Sequence, residues 1–325
     1  MTTTIECLES VSTFIENNDE IIENLEKIIG LKISVKNNRR NAILNKCFTM
    51  PLNLLNENVN FIKNNCDSYI VGDKADGVRF LLFVIDSKNY LISRNCKVYQ
   101  LNTIILTPTD FNLSVLDGEF VINKQNIDNE NRIGFYVAYD TLCYCGTPLL
   151  KYTNKSRYEH LYNFMCNKFS DLGFIIKTFY NIKHVDCILQ NIIPNMPYKS
   201  DGLIFIKIDD PFMHGTNKNM FKWKRPEEHT VDFKVVHKNN NFYLYTSDQK
   251  DPFCVLKDIH DTNIVDNINT NKNTIVEFMY FNNNFIPLHI RNDKHIANST
   301  NTVKSTLESV KQNISIEQII KTFVK

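Results

Sequence analysis

The chain has 325 residues, a formal net charge of +1 and 43% hydrophobic residues. This composition is typical of a globular protein and excludes a polycationic nucleic-acid coat, although a local basic groove stays compatible with it. The N-terminal MTTTIECLES does not resemble a signal peptide, and the longest apolar run, residues 80–85, is far shorter than the ~20 residues of a membrane-spanning helix. Nine scattered cysteines without a C-x-x-C favour reduced thiols over a zinc site. We therefore expect a protein that is neither secreted nor membrane-bound.

In chain order, residues 5–29 show helical spacing of apolar positions, with a break expected at residues 17–19 and a cap at Gly30. Short β-type runs bounded by turn residues follow between residues 67 and 140. These runs are SYIVG, RFLLFVID, NYLISR, LDGEFVIN and GFYVAYD. Residues 151–196 carry a mixed helical pattern, and strands are expected again at GLIFIKID and TVDFKVV.

The pattern changes again after Phe233. Residues 234–290 are short alternating runs between Asn- and Asp-rich turns, which fit a five-stranded OB-type barrel and, nearly as well, a generic small β domain. Residues 302–325 predict one closing helix. We therefore predict an α+β protein in three parts: a first domain with a helical N-terminal segment, a small barrel and a final helix. Their expected ranges are residues 1–233 (with the helical segment at 1–60), 234–301 and 302–325.

The strongest local signal is GDKADGVRF, which contains Lys74. A lysine attacks phosphorus only as a neutral amine, and burial and neighbouring cations favour that form. Arg79 and the lysines of FKWKRP are candidate cations. The same segment could instead be an exposed lysine on a strand that ends in an Asp76-Gly77 hairpin turn. Taken alone, the segment leaves both interpretations open.

Further charged motifs follow. LDGEF places Glu119 at the head of a strand, where a carboxylate could hold a ribose hydroxyl or a divalent metal, and SDGLIF presents Asp201 before a buried strand. Lys222 and Lys224 are two residues apart and therefore share a face of their strand. Because they would repel each other there, they indicate an anion such as a triphosphate between them.

In this order, KADGVR, LDGEF, FYVAYD, SDGLIF, FKWKRPEEHTVDF and RNDK resemble the six-motif series of the covalent nucleotidyltransferase superfamily, and more narrowly that of the mRNA capping guanylyltransferases. The resemblance covers about residues 69–300. It implies a nucleotidyltransferase domain of antiparallel sheets with flanking helices, followed by an OB-type lid. It also implies transfer of GMP from GTP through a lysyl-N–GMP intermediate to the 5′-diphosphate end of RNA, with Mg²⁺ or Mn²⁺ as cofactor.

The resemblance assigns nucleoside-binding roles. Lys74 corresponds to the nucleophile, and Arg79 to the arginine that contacts the ribose and a phosphate. Arg94 matches an arginine in an aromatic-rich hairpin. Tyr139 stands where the family usually has a guanine-stacking Phe, and Lys177 matches the lysine that reads the guanine O6.

The remaining matches concern phosphate and metal. Glu119 is matched to the glutamate of D-G-E and Asp201 to a metal-associated acid, so both are candidate metal ligands, and Glu119 is also a GTP-binding candidate. Lys222 and Lys224 match the pair that grips the α-phosphate. The residues matched to the acid of T-[IV]-D-F and to the barrel motif that orients pyrophosphate are Asp232, Arg291, Asp293 and Lys294.

The sequence contains no H-C-x5-R phosphatase signature, no alternating E-x-E strand set and no glycine-rich S-adenosylmethionine loop. An RNA triphosphatase and a cap methyltransferase are therefore expected as separate partners, and RNA polymerase is a further candidate partner. The compact barrel resembles capping enzymes of large DNA viruses and small eukaryotic parasites. The implied location is the nucleus for a cellular protein, and a viral factory or the virion for a viral one.

Two alternatives stay open. An ATP-dependent ligase uses the same lysine chemistry with AMP, but typically has E-G at the fourth motif and lacks T-V-D-F and R-x-D-K. A non-catalytic RNA-end-binding module would be expected to lose the nucleophile or the phosphate lysines, all of which are present here.

Overall fold

A computed structural model describes residues 4–31, 47–124, 133–164, 172–271, 273–292, 294 and 296–324. The chain forms two compact units. The first comprises Met1–Leu52, Phe61–Lys222 and Ile320–Lys325, and the second comprises Asn53–Asn60 and Trp223–Ile319. The three-part domain division expected from the sequence stays a prediction. None of the described helices is long and apolar enough to cross a membrane.

The described strands and helices are as follows. The strands are β1 (Ser12–Ile15), β2 (Thr49–Asn53), β3 (Tyr69–Ala75), β4 (Val78–Ile85), β5 (Lys88–Ser93), β6 (Val98–Leu101), β7 (Ser114–Ile122), β8 (Gly134–Tyr144), β9 (Thr147–Pro148), β10 (Leu172–Ile176), β11 (Tyr180–Asn181), β12 (Ser200–Lys207), β13 (Gly215–Lys224), β14 (Thr230–Lys238), β15 (Asn241–Tyr245), β16 (Cys254–Leu256), β17 (Ile275–Phe281) and β18 (Asn284–Ile290). The α-helices are α1 (Thr4–Ser10), α2 (Asp19–Ile29), α3 (Asn56–Asn64), α4 (Pro108–Phe111), α5 (Asn154–Leu161), α6 (Val185–Cys187), α7 (Thr262–Thr270), α8 (Thr300–Gln312) and α9 (Ile316–Phe323).

The first sheet of unit 1 has the order β1-β6-β5-β4-β7-β8-β10, with β9 paired to β8. Strand β4 is buried on both faces: Leu81 and Phe83 pack into one apolar cluster, and Phe80 and Leu82 into another. This explains why its sequence is a continuous apolar run rather than an alternating one. Strand β10 runs parallel to β8, unlike the antiparallel pairing expected from the sequence. A parallel pair needs a long crossover connection, and α5 lies in the connection between these two strands.

The second sheet of unit 1 has the order β11-β3-β12-β13-β2. Strand β3 lies inside this sheet, between β11 and β12. The ring of Tyr69 on β3 lies 6.4 Å from that of Phe221 on β13, and Phe205 on β12 lies 5.6 Å from Phe323 of α9. The Tyr69 contact and the pairing with β11 and β12 fix β3, which carries Lys74 of the K-x-D-G segment, within a well-packed sheet.

Unit 2 is built on a five-stranded sheet with the order β16-β15-β14-β17-β18, and α7 lies between β16 and β17 in the chain. Its core contains Phe233, whose ring lies 5.8 Å from Phe278 and 5.1 Å from Phe285. Five strands with one helix after the third are compatible with the OB-type prediction. The overall α+β class is confirmed.

Two expectations about helices are wrong in detail. Residues 5–29 do not form one broken helix, because Ser12–Ile15 is a strand that pairs with β6 at the edge of the first sheet. The cap at Gly30 is confirmed, with φ of 70° and an N–H bond to Glu26 O. The tail forms two helices, α8 and α9, because Asn313 adopts a left-handed conformation with φ of 47° that ends α8.

Candidate active site

The ammonium of Lys74 on β3 is held by a carboxylate from β12. Its Nζ lies 2.6 Å from Asp201 Oδ1. The register between the two strands shifts between Ser200 and Leu203, so that Asp201 and Gly202 together oppose Lys74. A β-bulge of this kind re-aims a side chain. The S-D-G sequence therefore forms the irregularity at which Asp201 meets Lys74.

The Asp76-Gly77 segment connects two sheets, since β3 belongs to the second sheet and β4 to the first. A Cβ added to Gly77 would lie 2.3 Å from Phe120 O on β7, which is closer than the backbone permits. Only glycine fits such a close approach. The alternative interpretation, an exposed lysine before a hairpin turn, is wrong on both points. Strands β3 and β4 do not pair as a hairpin because they belong to different sheets, and the Lys74 side chain is only 22% exposed.

Arg79 is clamped by Asp117 of the neighbouring strand β7. Its Nε donates to Asp117 Oδ1 at 2.9 Å and its Nη2 donates to Oδ2, a two-bond fork typical of arginine with a carboxylate. Nη1 donates to Thr49 O at 2.6 Å, and the ring of Phe48 lies 5.0 Å from the guanidinium carbon. Burial lowers the pKa of Arg79, but the charge of Asp117 raises it further, so the pKa lies above its ordinary value. The site therefore contains a fixed positive charge.

Tyr139 on β8 is tied to the same carboxylate, because its hydroxyl donates to Asp117 Oδ1 at 3.2 Å. The centre of its ring lies 5.5 Å from the guanidinium carbon of Arg79 and 5.5 Å from Lys177 Nζ. Burial raises the pKa of Tyr139 well above its ordinary value, so the phenol stays a neutral donor. An aromatic ring between two cations suits a planar, electron-rich ligand.

Lys177 follows β10 and is buried, with 4% of its surface exposed. Its Nζ donates to Asp73 O at 2.9 Å and to Asp73 Oδ2 at 3.4 Å. The Lys177 backbone is fixed as well: its N–H bonds to Ala138 O, and its carbonyl accepts from the Tyr158 hydroxyl. Both the main chain and the ammonium of Lys177 are therefore held in place.

Glu119 lies within reach of three cations. Burial raises the pKa of Glu119, and the charges of Lys74, Lys177 and Arg79 act in the opposite direction. The charge of Asp201 adds to the increase, which puts the two carboxylates in one electrostatic neighbourhood. Among the described residues, no group of three or more His, Cys, Asp or Glu side chains could hold a metal ion. Two carboxylates nevertheless fit Mg²⁺, which is commonly bound by one or two of them together with substrate phosphates.

Arg94 is exposed in the turn after β5. Desolvation and then the charge of Arg79 lower the pKa of Arg94, whereas Tyr139 and Asp117 raise it. Arg94 is therefore within electrostatic reach of Arg79 and Asp117.

Lys222 and Lys224 lie two residues apart near the end of β13, and both are partly buried. Between them Trp223 is buried, and its Nε1 donates to Ile314 O at 2.9 Å. Alternation along a strand puts the two lysines on the face opposite the Trp223 side chain. Lys222 belongs to the first unit and Lys224 to the second.

The second unit gathers its own charged cluster around Asp232 on β14. Arg291 Nη1 lies 3.1 Å from Asp232 Oδ1 and 3.1 Å from Glu277 Oε2. Lys294 Nζ is bonded to Asp232 Oδ2. Of the four residues matched to the acid of T-[IV]-D-F and to the barrel motif, three thus meet within one unit, and Asp293 lies outside the described residues.

A family model described as "mRNA capping enzyme, catalytic domain" matches residues 20–226, which is more than half of the chain. The chain belongs to this family. A second model, described as "mRNA capping enzyme, C-terminal domain", matches residues 208–320 of this capping-enzyme family member.

Named relatives agree with the family. The "mRNA-capping enzyme subunit alpha" of Candida glabrata is 28% identical over 198 residues, which are 52% of this chain and 44% of the relative. That of Schizosaccharomyces pombe is 24% identical over 318 residues, covering 78% and 74%. The "Probable mRNA-capping enzyme" of Acanthamoeba polyphaga mimivirus is 23% identical, covering 69% and 23%. The chain spans about half the length of the first relatives it matches.

Among solved structures, a mycobacterial DNA ligase D complexed with ATP and MES overlaps this capping-enzyme family member with a TM-score of 0.41 and 14% identity, over 70% of this chain and 91% of that one. A Lig E DNA ligase gives 0.38 and 14%, over 69% and 93%.

Sequence reasoning missed two of the carboxylates that hold the cations of this candidate site. Asp117 binds both Arg79 and Tyr139, and Asp73 binds Lys177. Both acids stand inside motifs that the sequence analysis quoted, LDGEF and GDKADG. Each acid lies one or two residues before a residue with an assigned role, Asp73 before Lys74 and Asp117 before Glu119, and this proximity could have drawn attention to it. Spacing in the sequence does not show, however, which acid binds which cation.

Proposed function

We propose that the chain is a GTP:RNA guanylyltransferase, which takes GMP from GTP onto Lys74 and passes it to the 5′-diphosphate end of RNA to form a GpppN cap. The observation that carries this proposal is the placement of Lys74, a partly buried lysine bonded to Asp201 at 2.6 Å. Glu119 of the same unit shares an electrostatic neighbourhood with Lys74, and also with Arg79 and Tyr139. Membership of the capping-enzyme family supports the assignment.

In the first half-reaction the Lys74 amine attacks the α-phosphorus of GTP. The Nζ–P bond forms while the bond to the bridging oxygen breaks, and its electron pair leaves with pyrophosphate. Nζ loses one ammonium proton to water before the attack, while Asp201 Oδ1, which accepts its hydrogen bond, keeps the nitrogen in place. A second proton goes to water as the phosphoramidate forms. Lys222 and Lys224 offset charge on the α-phosphate oxygens.

The nucleoside of GTP is bound by Tyr139, Lys177 and Arg79. Guanine stacks on Tyr139, and Lys177 donates to its O6. Arg79 contacts the ribose and a phosphate, and its fork with Asp117 keeps it from rotating away. Arg94 adds positive charge at the same end of the sheet.

Glu119 and Asp201 would hold the divalent cation, Mg²⁺ or Mn²⁺, that this chemistry uses, with substrate phosphates completing its shell. When bound, the cation supplies charge stabilisation of the phosphoryl oxygens. Glu119 also has the chemistry to accept a bond from a ribose hydroxyl.

In the second unit, Arg291, Asp293 and Lys294 orient the pyrophosphate leaving group, and Asp232 holds the two cations in place. Pyrophosphate then departs, and a terminal oxygen of the RNA diphosphate attacks the lysyl-GMP. The Nζ–P bond breaks as Nζ takes up two protons from water, which restores the Lys74 ammonium. The diphosphate end and the later methyl group are supplied by a separate RNA triphosphatase and a cap methyltransferase.

Incubation with α-labelled GTP and Mg²⁺ or Mn²⁺ should yield a protein–GMP adduct that is labile to acid and stable to alkali, as a phosphoramidate is. ATP should label the protein far less, because O6 and the N1 proton of guanine are replaced by groups of opposite hydrogen-bonding character. Denaturing gels after acid and alkali treatment measure both results. Equal or stronger labelling by ATP would instead support a ligase.

Tyr139→Phe should raise the KM for GTP in adduct formation by about five-fold while leaving kcat nearly unchanged. The change keeps the stacking ring but removes the hydroxyl bond to Asp117, a contribution of about 1 kcal/mol. Tyr152→Phe, at a residue that is 47% exposed, is the matched control and should change neither constant. An unchanged KM in Tyr139→Phe would show that the hydroxyl does not position the ring.

A further inference from the structure

Asp73 stands directly before Lys74 on β3, yet its side chain serves a different partner. Its exposed fraction is 2%, and it binds Lys177, whose exposed fraction is 4%. Lys74 binds Asp201 instead. Two consecutive residues of one strand therefore have different roles. Lys74 is the proposed nucleophile, and Asp73 holds the lysine that is assigned to the guanine O6.

The bond between Asp73 and Lys177 is poorly explained by stability alone. Removing two charges from water costs free energy that the attraction between them often fails to offset, so a buried ion pair is weak evidence of a stabilising role. In a surrounding of low polarity, however, the pair interaction is strong and directional. The phenol of Tyr198 lies in the same surrounding, since desolvation and then the charge of Asp73 raise the pKa of Tyr198.

The geometry of the ammonium leaves room for a ligand. An ammonium has three N–H donors. Among the described residues, two hydrogen bonds go from Lys177 Nζ to Asp73, one to its carbonyl and one to its carboxylate. The same Nζ lies 5.5 Å from the centre of the Tyr139 ring. Asp73 thus holds a charged donor over the face of the Tyr139 ring, on which the base is proposed to stack.

We propose that Asp73 is a positioning residue for nucleobase selection: it holds Lys177 so that its remaining donor meets the O6 of a 6-oxopurine nucleotide. This inference rests on the proposed guanylyltransferase function. Asp73 acts through Lys177 and does not itself contact the base, because it is almost completely covered by protein. Its removal should therefore affect only nucleotides that carry an oxygen at position 6.

The test compares three nucleoside triphosphates with the full chain: GTP, ITP and 2-aminopurine riboside triphosphate. GTP and ITP carry O6, and the third lacks it. In Asp73→Asn, kcat/KM for adduct formation should fall about 10- to 100-fold with GTP and ITP, the scale of a lost charge-assisted hydrogen bond. With the third nucleotide it should change less than about three-fold. Equal losses with all three nucleotides would overturn the proposal.

Two further variants keep the test decisive if Asp73→Asn folds poorly. Lys177→Met and the double variant Asp73→Asn/Lys177→Met should both lose the preference for O6 to the same extent, since Asp73 acts only through Lys177. The double variant leaves no charge buried without its partner. A further loss of preference in the double variant would contradict the proposal. Ratios between nucleotides are independent of the folded fraction of each preparation.

Asp67→Asn is the matched control, because it removes a carboxylate whose side chain is 86% exposed and 3.6 Å from Lys183. Exposed pairs of this kind contribute little, so all three nucleotides should react as with the wild type. Failure of the proposed function would be visible separately: the wild-type chain would then form no GMP adduct. A wild-type adduct together with an unchanged nucleotide ratio in Asp73→Asn would reject the role of Asp73 alone.

Discussion

Replacement of Lys74 by arginine should abolish formation of the GMP adduct. Arginine retains the positive charge and can still pair with Asp201, which Lys74 contacts at 2.6 Å. A guanidinium stays protonated at any pH at which the protein is folded, and so offers no lone pair to phosphorus. The expected loss of labelling is complete within the sensitivity of the assay, because the covalent step has no other route. Lys74→Ala should give the same result.

Lys183→Arg is the matched control for this experiment. Lys183 is exposed and pairs only loosely with Asp67 at 3.6 Å, so labelling should be unchanged. Circular dichroism and thermal unfolding of Lys74→Arg should match those of the wild type, since the ion pair within the β3–β12 contact is retained. Persistent labelling in Lys74→Arg, mapped by mass spectrometry to another lysine, would overturn the assignment of the nucleophile.

Elements with a strong local pattern were predictable from the sequence. The run RFLLFVID became β4, because residues such as Leu81 and Leu82 are buried on opposite faces of the first sheet. The cap at Gly30 was predictable for a similar reason, since a left-handed residue after a helix favours glycine. In both cases the physical cause lies within a few neighbouring residues.

The errors occur where distant partners decide the conformation. Ser12–Ile15 lies inside a helical pattern but forms a strand, because its backbone groups pair with β6, which is remote in the chain. The parallel alignment of β10 with β8 likewise depends on the path of the chain between them. Neither can be read from a local window of residues, because tertiary pairing overrides propensity there.

In the candidate site, too, local sequence predicts some features, whereas partners that are distant in the chain decide others. The motifs indicate which cations to examine, but their carboxylate partners lie far away: 127 positions separate Lys74 from Asp201, and 104 separate Lys177 from Asp73. Within LDGEF, spacing could not decide whether Asp117 or Glu119 would bind Arg79. The register of β4 on β7 decides it, since Arg79 lies opposite Glu119 but reaches diagonally to Asp117.

Lys294→Ala should slow adduct formation by about 10²-fold, the scale expected when one electrostatic stabiliser of a transition state is removed. Lys294 and Arg291 are proposed to orient pyrophosphate, which is a leaving group only while GTP is being attacked. Once lysyl-GMP has formed, no pyrophosphate is left for them to hold. Transfer of GMP from preformed adduct to diphosphate-ended RNA should therefore change less than about three-fold.

Single-turnover measurement of the two half-reactions separates this role from a structural one. The fold of unit 2 should survive the change, because Arg291 still lies 3.1 Å from Asp232 and neutralises that buried carboxylate. Lys257→Ala, at an exposed lysine of the same unit, is the matched control and should leave both steps unchanged. A solvated turn without function would leave adduct formation intact in Lys294→Ala. A general loss of structure would slow both steps equally, and either result would reject the assignment of Lys294 to the leaving group.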